Sequence, residues 1–206
     1  MRRNLLVIGS LCISLTFLIS RCAEKQETQP PASDSSKITY GGYESQVKWG
    51  HHLTMIQGCN DCHTPKKMTD RGPVLDTALL LSGHPAQMPA PEVNRKEMES
   101  KGLAVTMDLT AWVGPWGISY TANLTSDSSG IGNWKEEQFL YALKNGKIKG
   151  LADSRTILPP MPWQELGSSM TDDEMKAIFA YLKSTKPVKN IVPPPAPPVS
   201  ATMAQK

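Results

Sequence analysis

The stretch Gly58-Cys59-Asn60-Asp61-Cys62-His63-Thr64 decides how the rest of this chain is read. Two cysteines three positions apart, with a histidine directly after the second, form the attachment pattern of a c-type haem. The spacing has a physical reason. Two thiols one helical turn apart both reach the vinyl groups on one edge of a porphyrin, and the next side chain then sits beneath the iron, where an imidazole nitrogen binds axially. A CxxC pair also serves as a disulfide or dithiol motif, but those lie between a strand and a helix, and no βαβ pattern surrounds this one. A zinc site needs a third and a fourth ligand, and His51, His52 and His84 fall in no finger-like spacing. The expected cofactor is therefore one covalent haem c, held by Cys59 and Cys62, with His63 on the iron.

The 206 residues leave room for one domain and its appendages. The formal charge of +3 misleads, because Arg2, Arg3 and Arg21 precede the first acid, Glu24. Without those three, 19 basic residues balance 19 acidic ones, and nothing points to nucleic acid. Met1-Arg2-Arg3 reads as the basic start of an export signal, and Leu5 to Ile19 as its apolar run, short for a membrane span. Leu18-Ile19-Ser20-Arg21-Cys22 resembles a bacterial lipoprotein signal, in which Cys22 becomes the acylated first residue. Arg21 departs from that pattern, where a small residue is expected. The resulting division is a signal peptide over 1–22, a flexible linker over 23–37, a domain over 38–187 and a Pro-rich disordered tail over 188–206. The chain is expected on the periplasmic side, tethered to a membrane through a lipid on Cys22.

Within the domain, Tyr43 to Gly58 reads as a helix with Val47, Gly50, Leu53 and Ile56 on one face. A glycine in mid-helix costs about 1 kcal/mol against alanine, which close approach of another helix would explain. A short helix is expected over Val74 to Leu81, another over Asn94 to Ser100, and loops between. Trp112, Trp116 and Tyr120 either cover the porphyrin or a satellite core. Asn133, with Glu136 three positions on, is expected to cap a helix running to Asn145. The last helix opens on the capping box Thr171/Glu174 and carries Met175, Ile178, Phe179 and Leu182 as its apolar stripe.

The face of the iron opposite His63 decides its job. A thioether there suits electron transfer, and an open face suits ligand binding or catalysis. Met161, in Leu158-Pro159-Pro160-Met161-Pro162-Trp163, is the first choice, since flanking prolines fix the loop around it. Met88 is the runner-up, and a plain core role the bland alternative. Lys66, Lys67, Lys144, Lys147 and Lys149 either steer an acidic partner or only solubilise.

Taken together, these features resemble the class I c-type cytochromes. Ala122-Asn123-Leu124-Thr125, Gly130-Ile131-Gly132-Asn133-Trp134, Pro159-Pro160-Met161-Pro162 and Ala180-Tyr181-Leu182 are similar to the cytochrome c domains that accompany bacterial alcohol and sugar dehydrogenases. The resemblance covers about residues 40 to 186. It implies an all-α class I cytochrome c fold, with a long loop-rich insertion after the haem motif and first and last helices crossing at Gly50, near Tyr181. Those subunits usually carry several haems, whereas this chain has one CxxCH. The implied function is a monohaem carrier passing one electron at a time between redox proteins, with His63 and Met161 on the iron. The alternatives are the haem subunit of an oxidoreductase complex and, should Met161 not bind, a ligand sensor.

Overall fold

The computed structural model describes residues 40–203; Cys22 and the expected signal and linker lie outside them. The first helix, α1 (Gln46–Ile56), opens where the Ser45 side chain accepts a hydrogen bond from the Lys48 N–H at 3.2 Å. Gly58, at a φ of 66°, turns the chain out of α1 and into α2 (Cys59–His63), the five-residue haem-motif helix.

A hairpin follows, β1 (Lys66–Thr69) with β2 (Gly72–Leu75), then a 3-10 turn at Thr77–Leu79 and α3 (Arg95–Lys101). A second antiparallel sheet is built from β3 (Val105–Thr106), β4 (Ala111–Gly114) and β5 (Gly117–Tyr120), in that spatial order. Helices α4 (Glu136–Asn145), α5 (Trp163–Ser169) and α6 (Asp172–Ser184) complete the body, and α7 (Val199–Met203) follows. Among the described residues, no helix is long and apolar enough to cross a membrane.

The core lies among α1, α4 and α6, where Leu53, Phe139, Leu143, Met175, Ile178, Phe179 and Leu182 are buried with Leu81 and Ile131 from the connecting segments. Each such side chain contributes about 1.5–3 kcal/mol on burial. The mid-helix glycine is explained here. A Cβ on Gly50 would stand 1.8 Å from the carbonyl oxygen of Ala177, so α1 crosses α6 backbone to backbone. One residue on, the ring of His51 lies 4.9 Å from that of Tyr181. The capping box of α6 forms as expected, with Thr171 N–H donating to Glu174 Oε2 at 2.8 Å and Glu174 N–H donating to Thr171 Oγ1 at 3.3 Å.

The expected all-α class I fold with a loop-rich insertion is overturned, because the stretch between the haem motif and α4 holds five strands in two antiparallel sheets. The physical reason is their brevity. The strands run four residues or fewer, too short for a readable period of two, and glycines close both hairpins, Gly72 and Gly117 each at a φ of 98°. Val74 accordingly lies in β2, and only Thr77–Leu79 of the expected short helix is helical. The second hairpin contains the tryptophans: Trp112 Nε1 donates to Leu109 O, and Trp116 Nε1 to Ser119 Oγ, both at 3.0 Å.

Helix α4 begins two residues later than expected, after Lys135 rather than Asn133. The Asp127 carbonyl accepts from both Gly130 and Gly132 N–H at 2.9 Å, which keeps the chain in a turn through that stretch. Gln138 then reaches back to accept from Lys135 N–H at 2.9 Å.

Beyond α6 the Pro-rich segment is extended and laid against β5 and the Ser82–His84 stretch. Ile118 and Ala196 form an antiparallel bridge, with N–H···O distances of 2.8 and 3.1 Å. Asn190 Nδ2 donates to Ser82 O at 2.7 Å and to His84 O at 2.9 Å.

Candidate cofactor site

Helix α2 is only one turn and a half, so neighbouring side chains fix it. Asn60, 3 % exposed, donates to Met55 Sδ at 3.2 Å on the end of α1 and accepts from Thr64 Oγ1 at 3.2 Å. Thr64 in turn accepts from Leu81 N–H at 2.9 Å. Leu81 has a φ of 61°, a left-handed conformation that costs a branched residue energy. It is held there by Thr64 on one side and by Leu124 N–H, which donates to its carbonyl at 2.8 Å, on the other.

His63 is 8 % exposed, with Nδ1 lying 2.8 Å from the Ala122 carbonyl oxygen. A carbonyl only accepts, so Nδ1 carries the hydrogen and Nε2 keeps its lone pair. Burial is the main cause that pushes the imidazole below its ordinary 6.5; the Ala122 bond opposes it, and nearby Lys66 adds to it. A neutral ring with one nitrogen fixed by a carbonyl and the other bare is the form a metal-binding histidine takes. The His63 carbonyl accepts from Gly83 N–H at 2.8 Å, so both ends of the residue are gripped by the insertion.

Cys59 and Cys62 are half-buried free thiols, not bonded to each other. Burial pushes the Cys59 thiol up to about 11. Cys62 is also raised by burial, with the Lys66 ammonium opposing. Lys66 itself is pulled down by burial and supported by Asp108, and it donates to the Asp61 carbonyl.

Met161 is half-buried and packs against the same apolar core as Cys59. Its loop contains a cis peptide between Pro159 and Pro160. The Pro159 carbonyl accepts from Ser119 Oγ at 2.7 Å, which fastens this loop to β5. Met88 lies outside that core, in the loop whose carbonyl faces His84. The donor set fits a haem: two free thiols one turn apart, an imidazole with its outer nitrogen bare, and a thioether on the adjoining core. Among the described residues, no cluster of three or more His, Cys, Asp or Glu side chains could hold a bare metal ion.

Of the lysines, Lys67 pairs with Asp76 at 2.9 Å, Lys144 pairs with Asp172, and Lys147 donates to Ser154 O at 3.0 Å. Two of these lysines, Lys67 and Lys144, thus sit in ion pairs within the chain. Sequence reasoning missed Ala122, Ser119 and the Thr64–Leu81 bond. A backbone carbonyl has no residue signature, and a serine meeting a loop 40 positions away leaves no local pattern.

No protein-family model matches the chain. It is 37 % identical over 147 residues to the cytochrome c subunit of the quinone-dependent alcohol dehydrogenase of Gluconobacter oxydans, covering 70 % of this chain and 23 % of that subunit. It is 29 % identical over 166 residues to the fructose dehydrogenase cytochrome subunit of Gluconobacter japonicus, covering 79 % of this chain and 25 % of the relative. The chain thus spans about a quarter of the length of these two relatives. A shorter stretch of 80 residues, 38 % of this chain, is 34 % identical to a nicotinate dehydrogenase component of Pseudomonas putida, of which it covers 6 %. The first two are cytochrome subunits of bacterial dehydrogenases, as expected of relatives of a cytochrome c domain that accompanies such enzymes.

Proposed function

We propose that this chain is a haem-bearing electron-transfer subunit of an oxidoreductase, taking single electrons from a dehydrogenase partner and passing them to a second redox protein. Cys59 and Cys62 would hold one haem c through thioethers, and His63 and Met161 would be its iron ligands. The bound haem supplies the one-electron couple. The observation that carries the reading is the His63–Ala122 bond within an intact CxxCH helix, supported by the cytochrome subunits among the relatives.

The chain's own residues perform three tasks. The thiols of Cys59 and Cys62 fix the group in one orientation, which removes the entropy of holding it non-covalently. Ala122 fixes the His63 tautomer, and an imidazole whose N–H is bonded to a carbonyl is a firmer ligand than one turned to water. Ser119, through Pro159, restrains the loop of Met161, so that a weak thioether is offered from a fixed position. The relatives' names favour a dehydrogenase-associated subunit over a free carrier.

Export and a lipid on Cys22 belong to the same reading and rest on the leader sequence. Replacing Cys22 with serine is expected to move the protein out of the membrane fraction, and unchanged partitioning would remove the anchor.

The test of the function is spectral. The purified protein, matured during export, should be coloured, with a reduced-minus-oxidised c-type spectrum that a haem stain retains after denaturation. Cys59→Ala and Cys62→Ala together should abolish the stain. A colourless wild-type protein with both thiols open to alkylation would end this reading.

A further inference from the structure

His84 is wholly buried at 0 % exposure, and its ring lies 4.8 Å from that of Tyr120. Both ring nitrogens are engaged. Nε2 is 2.8 Å from the Met88 carbonyl oxygen, and Nδ1 is 2.8 Å from Thr110 Oγ1. Thr110 is also at 0 % exposure, and its hydroxyl lies 2.7 and 2.8 Å from the two carboxylate oxygens of Asp108. Asp108 accepts a further bond from Thr110 N–H at 2.9 Å, and its charge supports the Lys66 ammonium.

The hydrogens in this chain of groups can be counted. The Met88 carbonyl only accepts, so Nε2 brings a hydrogen. The Asp108 carboxylate only accepts, and the single hydroxyl hydrogen of Thr110 points to it. The hydroxyl then offers Nδ1 nothing but a lone pair, so Nδ1 must bring a hydrogen as well. A buried cation is tolerated where it is hydrogen-bonded and answered by an opposite charge, which Thr110 and Asp108 provide.

The segment so fixed is the wall behind His63. Gly83 N–H donates to the His63 carbonyl at 2.8 Å, and His84 N–H donates to Thr121 O at 3.0 Å, one residue before the carbonyl that holds His63 Nδ1. Asn190 closes the wall from outside by its bond to His84 O at 2.9 Å.

We propose that His84, Thr110 and Asp108 form a proton-sharing relay, running from buried His84 and Thr110 to half-buried Asp108, in which His84 carries a hydrogen on both ring nitrogens, and that through it His84 is a positioning residue for His63. The part concerning His63 rests on the proposed haem ligation; the relay does not. His84 is no iron ligand, because neither nitrogen is spare.

The test uses the full chain as purified, labelled with 15N-histidine. Two slowly exchanging ring N–H signals are expected for His84 at neutral pH, assigned by their loss in His84→Gln. In Asp108→Asn the Nδ1–H signal should disappear while Nε2–H remains. A single ring N–H in the wild type, or two surviving in Asp108→Asn, overturns the relay. The positioning role is read separately in the haem-loaded protein. Asp108→Asn and Thr110→Val should each shift the midpoint potential and the ring signals of His63. Ring signals and potential equal to wild type in both variants overturn the positioning role. A colourless protein would end the proposed function and the role toward His63, leaving the ring-hydrogen count to decide the relay alone.

Discussion

Ser119 and Pro159 are joined by a 2.7 Å hydrogen bond that ties the second sheet to the loop carrying Met161. The same hydroxyl accepts from Trp116 Nε1 at 3.0 Å, so one serine closes a path from the tip of the hairpin to the proline loop. The strands in the insertion thereby bear on the loop of Met161, and the Gly83 and Ala122 contacts bear on His63.

Ser119→Ala is expected to cost about 1–3 kcal/mol, because it leaves the Trp116 N–H and the Pro159 carbonyl without their partner. Urea unfolding measures the loss. The band marking methionine on ferric iron should weaken as well. A variant as stable as wild type with an unaltered band would show that the hairpin does not restrain the loop.

Met161→Ala should abolish that band and let the reduced protein bind carbon monoxide rapidly. Its stability should fall by about 2 kcal/mol, the low end for truncating a core methionine, since the side chain is only half-buried. Persistence of the band in this variant would move the ligand elsewhere.

Gly50→Ala pits two effects against each other. Helix propensity gains about 1 kcal/mol, but the new Cβ meets the Ala177 carbonyl at 1.8 Å. Forcing two packed helices apart costs about 1–3 kcal/mol or more, so the net change is destabilising. A denaturation midpoint equal to or above that of wild type would contradict the backbone crossing.

Part of the acid sensitivity should come from Asp76. The Lys67 ammonium, first, and the Ala78 and Leu79 N–H groups hold its carboxyl below the ordinary 3.8, against the opposing effect of burial. A depressed carboxyl contributes stability that is complete above its unfolded value and lost as pH falls through the folded one. The stability difference between wild type and Asp76→Asn should thus be constant above 3.8 and close below it. A difference that closes near neutrality would assign the effect to another group.

What the sequence makes legible is set by how local the cause is. Cys59, Cys62 and His63 lie in one turn, the α6 capping box spans four residues, and Gly50 signals its crossing by being a glycine where alanine is favoured. The two hairpins are not legible, because Lys66–Thr69 and Gly72–Leu75 are short and largely exposed, with no apolar alternation to read. The start of α4 is misjudged because Asn133 is a good cap, while the Asp127 turn that overrides it depends on two glycines downstream. The grip on His63 depends on partners 20 to 60 positions away, and such pairings have no signature within a window of sequence.

Asn190 comes six residues after the end of α6, yet it grips Ser82 and His84 and accepts from the Ala86 N–H. An expression boundary drawn at the last recognisable helix would therefore cut away a clasp on the Ser82–Ala86 segment, and, on the proposed haem ligation, the shortened protein would be expected to lose grip on the cofactor although every motif residue remained. Trimming from this end should be judged by cofactor retention rather than by helical content.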